Sequence, residues 1–167
     1  MNADKKSYVS DRELVIKLQD SIKLFVDKKL KNSKKSTSII VETSGGVLSP
    51  GPNKTLQADL YRKLRLPIVL VGDSKLGGIT ATISAFESLR LRGYTVYAVA
   101  IIERGSSTPL GNAEMIQEYF KNTFGNSDHS GIDSRIPQVF SFSSLPGGKE
   151  RTPMLHDWYR DNQCEFL

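Results

Sequence analysis

Residues 39–59 read Ile39-Ile40-Val41-Glu42-Thr43-Ser44-Gly45-Gly46-Val47-Leu48-Ser49-Pro50-Gly51-Pro52-Asn53-Lys54-Thr55-Leu56-Gln57-Ala58-Asp59. The β-branched run Ile39-Ile40-Val41 predicts a short buried parallel strand. The run stops at Glu42, which puts a carboxylate at the carboxyl end of that strand, where open α/β sheets place their ligands. Gly45 and Gly46 follow at once and let backbone approach a ligand closely. Pro50, Gly51, Pro52 and Asn53 build a stiff loop, and Thr55 is placed to cap a helix that begins at Leu56. A strand, an acid, a glycine pair and an ordered loop together suggest a metal–phosphate site. The plainer alternative is a strand that ends in an ordinary exposed turn.

A second stretch follows the same logic. Leu66 to Gly72 predicts another buried strand, and Asp73 ends it. Ser74-Lys75-Leu76-Gly77-Gly78-Ile79-Thr80 then opens a helix whose first N–H groups form a natural anion site. The two strands stand about thirty residues apart with a helix between them, which makes a βαβ unit.

Working outward, Ser10 and Glu13 match a capping box ahead of a helix over residues 11–31. Its apolar stripe is Leu14, Leu18, Ile22, Phe25 and Val26, and it is expected to pack on the sheet. Residues 31–38 read as a polar linker. A helix from about Gly78 to Arg92 should bury Ile79, Ile83, Phe86 and Leu89 and end at Gly93. Residues 95–102 read as a third parallel strand. Leu110 to Phe124 predict a helix with Met115, Ile116, Tyr119 and Phe120 inward. Residues 136–142 read as a shorter strand, and residues 152–159 as a final helical turn. Strands alternating with helices imply a parallel sheet with right-handed crossovers.

Composition narrows the class. The 167 residues carry 25% charged and 38% hydrophobic side chains, ordinary values for a soluble domain. No apolar run approaches a membrane span, and no secretory signal stands at Met1. One cysteine, Cys164, allows no internal disulfide, which fits a reducing compartment. His129 and His156 have no metal-ligand spacing and read as surface histidines. Residues 1–38 hold ten Lys or Arg against five acids, so the net charge of +5 resides there and the rest of the chain is balanced. Only Tyr8 and Phe25 interleave with those bases. The basic segment therefore reads as a solvated helix face and linker, not as a nucleic-acid or membrane surface. The expected division is residues 1–38, basic helix and linker, and residues 39–167, an α/β domain.

The run VETSGGVLSPGPNKTLQADLYRKLRLPIVLVGDSKLGGITATISAFESLRLRGYTV resembles dethiobiotin synthetase. It looks most like the form fused to a diaminopelargonate aminotransferase in fungal and plant bifunctional proteins. The likeness is close over residues 39–102 and looser beyond. It implies a three-layer parallel sheet of the P-loop NTPase type, of which residues 39–167 would be the C-terminal part. It also implies an ATP- and Mg²⁺-dependent ring closure in biotin biosynthesis. There 7,8-diaminopelargonate takes up CO₂ to give a carbamate, ATP phosphorylates the carbamate, and the second amine attacks the mixed anhydride.

The resemblance assigns Glu42 to the metal-ligand position and Gly45 and Gly46 to the nucleotide- and phosphate-proximal region. It assigns Lys75, Gly77, Gly78 and Thr80 to the loop that holds the substrate's distal carboxylate across a homodimer interface. A mitochondrial or cytoplasmic protein with a fused or separate aminotransferase is implied, with no nucleic acid or membrane as partner. Ser44 stands where the family usually has alanine. Ile102-Glu103 stands where many bacterial relatives carry an Asn-Asp pair that reads adenine. Asp73 reads as a helix-capping acid, and the glycines 77–78 have a plain packing alternative.

One departure is larger. No G-x-x-x-x-G-K-[ST] phosphate loop occurs in this sequence. The first strand and the phosphate loop of the family are therefore expected to be absent, and the chain by itself is expected to have little or no synthetase activity. The alternatives are a non-catalytic dimerising or regulatory remnant of that domain and, more remotely, an unrelated basic binding module.

Overall fold

The structure, a computed structural model, describes residues 9–32, 38–102, 111–125 and 136–142. It divides into two compact units, Met1–Leu66 and Pro67–Leu167.

In the first unit, helix α1 spans Asp11–Asn32. Its start is the expected capping box: the Glu13 amide donates to Ser10 Oγ at 3.3 Å, and the Ser10 amide donates to Glu13 Oε2 at 2.9 Å. Both bonds satisfy donors that a helix end leaves without intrahelical partners. Within the expected stripe Leu14, Leu18, Ile22 and Val26 are half-buried, but Phe25 is exposed and the fully buried residue is Val15. Residues 38–56 lead without helix or strand into a short helix α2, Gln57–Leu60, which continues as a 3₁₀ turn over Tyr61–Leu64.

Ile39-Ile40-Val41 is not a strand. The tripeptide joins no ladder among the described residues, and Ile40 is 91% exposed. The physical reason is that β-branched residues favour a strand only where a neighbouring strand accepts their backbone bonds and covers their side chains. Three residues are also short against an ordinary strand of five or six. Thr55 does not cap α2 either. Leu56 occupies that position with no side-chain cap, and the Thr55 hydroxyl instead donates to Asp11 Oδ2.

The second unit is the parallel α/β fold read from the sequence. Its order is β1 (Ile68–Asp73), α3 (Gly78–Leu91), β2 (Val96–Ile102), α4 (Asn112–Phe124) and β3 (Gln138–Phe142). All pairings are parallel in the order β1-β2-β3, with Leu70 beside Val99 and Val99 beside Val139. Right-handed crossovers taken in sequential order put both helices on one side of the sheet. Leu70 and Gly72 point to that side, since a Cβ on Gly72 would lie 2.5 Å from Thr82 Oγ1. Val69 and Val71 point away and are 55% and 64% exposed, so β1 is buried on one face, where its continuous apolar run had predicted both.

Phe86 of α3 and Phe120 of α4 form the core between helices and sheet, with ring centroids 4.4 Å apart. Val99, Ile101 and Ile116 are completely enclosed beside them. In α4 the expected inward Met115 is exposed, because its angular position carries it off the face shared by Ala113, Ile116 and Phe120. Gly93 closes α3 as expected, its amide donating to the Arg90 carbonyl at 2.8 Å. Glu103, His129, His156, Cys164 and the turn expected at residues 152–159 lie outside the described residues. No helix among the described residues is long and apolar enough to cross a membrane.

Candidate functional site

The sequence-assigned residues fall on two loops, one in each unit. In the first unit Glu42 is an exposed carboxylate at the head of the 42–49 loop. Gly45 takes φ +104°, a conformation that only glycine adopts readily. The loop is bonded to itself throughout. Thr43 Oγ1 donates to the Gly45 carbonyl at 3.2 Å, the Gly46 amide donates to Ser49 Oγ at 3.0 Å, and the Ser49 amide returns to the Gly46 carbonyl at 2.9 Å. The Gly46 amide is therefore engaged within the loop, with the Ser49 hydroxyl 3.7 Å from where a Cβ would stand.

Helix α2 anchors the loop from below. The Gln57 amide donates to the Ser49 carbonyl and the Ala58 amide to the Val47 carbonyl, each at 3.0 Å. The Gln57 side chain, 5% exposed, donates through Nε2 to the Ser44 carbonyl, and its Oε1 has no partner among the described residues. The Pro50–Asn53 stretch is ordered as expected. Pro50 bridges Leu56, and the Gly51 amide donates to the Thr55 carbonyl at 2.7 Å. Asn53 Nδ2 reaches Asp11 Oδ1 at 2.9 Å. These donors from Thr55 and Asn53 hold the Asp11 carboxyl below its ordinary pKa.

No group of three or more His, Cys, Asp or Glu side chains that could hold a metal ion exists among the described residues. Mg²⁺ asks for less: it is commonly held by one or two carboxylates, with phosphate oxygens and water completing the octahedron. The exposed Glu42 carboxylate fits one corner of such a shell. A cavity of about 360 Å³ also opens in this unit between α1 and the α2 turn, over Val15 and Leu60 with Arg12 and Lys63 on its wall. None of the sequence-assigned residues lines it.

In the second unit the loop between β1 and α3 carries Lys75, Gly77, Gly78 and Thr80 together. Asp73 does not cap the helix. Its Oδ1 accepts the Lys75 amide at 3.2 Å, inside the loop, while Gly77 occupies the cap position of α3 at φ +85°. Gly78 is buried, and a Cβ there would lie 1.9 Å from the Asp73 carbonyl oxygen. The two glycines thus do different work, one for conformation and one for space. Lys75 and Thr80 are exposed beside the first turn of α3, where unpaired amides and the aligned peptide dipoles favour an anion.

Asn112, the first residue of α4, is 5% exposed and donates through Nδ2 to the carbonyls of Asp73 at 3.1 Å and Lys75 at 3.3 Å. Sequence reasoning missed both buried carboxamides, Gln57 and Asn112. Each stands in the first turn of a helix but bonds a carbonyl distant in sequence, which no local pattern announces.

The model of the family described as AAA domain matches residues 4–127, a span that takes in α1 as well as both loops. A mitochondrial bifunctional dethiobiotin synthetase/7,8-diamino-pelargonic acid aminotransferase of Arabidopsis thaliana is 44% identical over 114 residues, which is 68% of this chain and 13% of that protein. A bifunctional dethiobiotin synthetase/adenosylmethionine-8-amino-7-oxononanoate aminotransferase of Emericella nidulans is 56% identical over 82 residues, 49% of this chain and 10% of that protein. An ATP-dependent dethiobiotin synthetase of Phenylobacterium zucineum is 37% identical over 78 residues, 47% of this chain and 33% of that protein. The chain spans a small part of each. Since it matches a protein named for the synthetase alone, the likeness lies in the dethiobiotin synthetase part.

Proposed function

The chain belongs to the AAA domain family, and we propose that it is part of a dethiobiotin synthetase acting in biotin biosynthesis. In this reading 7,8-diaminopelargonate and CO₂ are its substrates, ATP and Mg²⁺ its cofactors, and a mitochondrion its compartment. The observation that carries it is the Asp73–Gly78 loop. A tightly closed turn, one exposed lysine and the start of a 14-residue helix stand in the position that the resemblance gives to the substrate's carboxylate.

Each residue has a definable task. Lys75 supplies a mobile cation with three donors to a carboxylate. Gly77 leaves open space at the head of α3 and Gly78 lets the turn close on the Asp73 carbonyl, and the Thr80 hydroxyl donates from the first turn of α3. Glu42 offers one oxygen ligand to the metal, and Gly45 and Gly46 shape the loop that follows it, in the phosphate-proximal region the resemblance gives them. ATP with its Mg²⁺ supplies the activated phosphoryl group when bound. A second copy of the chain and an aminotransferase, fused or separate, complete the proposed assembly.

A second reading is favoured by one specific observation. The 167 residues contain no G-x-x-x-x-G-K-[ST] sequence, and phosphoryl transfer depends on such positioning. The chain alone would then serve as a non-catalytic dimerising or regulatory remnant with little turnover.

Calorimetric titration of chain 1–167 with 7,8-diaminopelargonate, and with 7,8-diaminononane as a probe lacking the carboxylate, tests the first reading. The expected result is saturable binding of the acid that Lys75→Ala abolishes, with no binding of the diamine. Equal binding of the two, or binding of neither, contradicts it.

A further inference from the structure

The loop from Asp73 to Gly78 could turn its peptide groups in more than one way, and which way it turns decides whether its amides can meet an anion. A trans peptide is planar, so a carbonyl and the amide of the next residue point in opposite directions. Asn112 Nδ2 takes the carbonyls of Asp73 at 3.1 Å and Lys75 at 3.3 Å. The Lys75 carbonyl also accepts the Gly78 amide at 2.8 Å. With that carbonyl held against Asn112, the Leu76 amide points away from it. Leu76 is 100% exposed, and its amide has no partner among the described residues.

We propose that Asn112 is a positioning residue: it fixes the orientation of the Lys75–Leu76 peptide so that the Leu76 amide faces a bound carboxylate together with the Lys75 ammonium. The proposal rests on the reading of this loop as the substrate-carboxylate site and deepens it by naming the donor and what holds it. Asn112 touches no substrate. It acts through two carbonyls, and its burial at 5% exposure keeps water from replacing it there. A carboxamide suits the task because both of its N–H bonds lie on one nitrogen, as two carbonyl acceptors require. Gly78 belongs to the same arrangement, because a Cβ there would strike the Asp73 carbonyl and lie 3.0 Å from Asn112 Nδ2.

Leu and Asp share the branched shape of Asn but offer no N–H. The test is therefore Asn112→Leu and Asn112→Asp in the full 1–167 chain, read in two ways. Amide exchange reports the loop directly. The Gly78 amide should exchange about tenfold faster or more in both variants, the loss expected for one or two hydrogen bonds, with Val99 in β2 and Phe86 in α3 unchanged. Calorimetry reports the ligand: the dissociation constant for 7,8-diaminopelargonate should rise about tenfold or more.

Unchanged Gly78 exchange in both variants overturns the proposal. Faster exchange with unchanged affinity also overturns it, since Asn112 would then hold the loop without serving the site. If the unsubstituted chain binds no diaminopelargonate, the carboxylate reading of the loop fails, and the exchange of Gly78 still decides whether Asn112 sets the loop.

Discussion

At the scale of single residues, the two loops show why identical letters carry different duties. Gly77 and Gly78 were legible together as the opening of a helix at an anion site. What the sequence does not encode locally is that one answers to φ and the other to an oxygen atom 1.9 Å from where its Cβ would be. That constraint arises only when β1 and α3 are brought together. Gly78→Ala should therefore destabilise the chain by about 1–3 kcal/mol, the range for forcing a methyl group into a filled space. Urea unfolding would measure it, and a midpoint equal to that of the unsubstituted chain would refute the tight turn.

Asp11 makes a second case. Hydrogen bonds from Thr55 and Asn53, more than forty residues away in sequence, depress its pKa. A depressed carboxyl contributes stability above its unfolded value, about 3.9, and that contribution disappears as pH falls through the lower folded value. Thr55→Val should shrink the loss of stability that sets in as pH falls below the unfolded carboxyl value of about 3.9. Thermal unfolding followed through that fall in pH checks the sign.

At the scale of elements, signals that close on their own neighbours or repeat along the chain survived, and a run that needed an outside partner did not. The capping box of Ser10 and Glu13 lies in four consecutive residues and needs nothing from the rest of the chain, so α1 begins where the sequence says. Ser10→Ala should cost about 1 kcal/mol of helix stability, visible as lower helicity in circular dichroism. Strands β1, β2 and β3 were legible because apolar runs flanked by turns repeat with helices between them. Ile39-Ile40-Val41 has the same letters but no ladder, and propensity without a neighbour does not make a strand.

Helix α4 was legible in extent and misread in face at Met115. The helix pairs with α3 through Phe86 and Phe120, and the sequence does not state which turn of α4 meets which turn of α3. Phe120→Ala, which empties a completely enclosed site, should cost about 3–5 kcal/mol. A loss below about 1 kcal/mol in chemical denaturation would mean that this packing is not what joins the two helices to the sheet.

At the scale of the whole molecule, the family was legible because the residues that carry it are contiguous. The run from Glu42 to Val96 holds both loops, β1 and all of α3, and the family match covers it entirely. The buried carboxamides that hold the loops were not legible, because Gln57 and Asn112 act on carbonyls 13 and 37–39 residues away. Their meaning appears only when the chain is folded.

We propose that this polypeptide carries the substrate-carboxylate loop and a metal-ligand position of a dethiobiotin synthetase; its 167 residues contain no G-x-x-x-x-G-K-[ST] sequence. The most direct test is a calorimetric titration of MgATP into chain 1–167 held in excess 7,8-diaminopelargonate. No saturable heat is expected. A nucleotide site of micromolar affinity would contradict that expectation and would mean that other loops of this chain hold the phosphates.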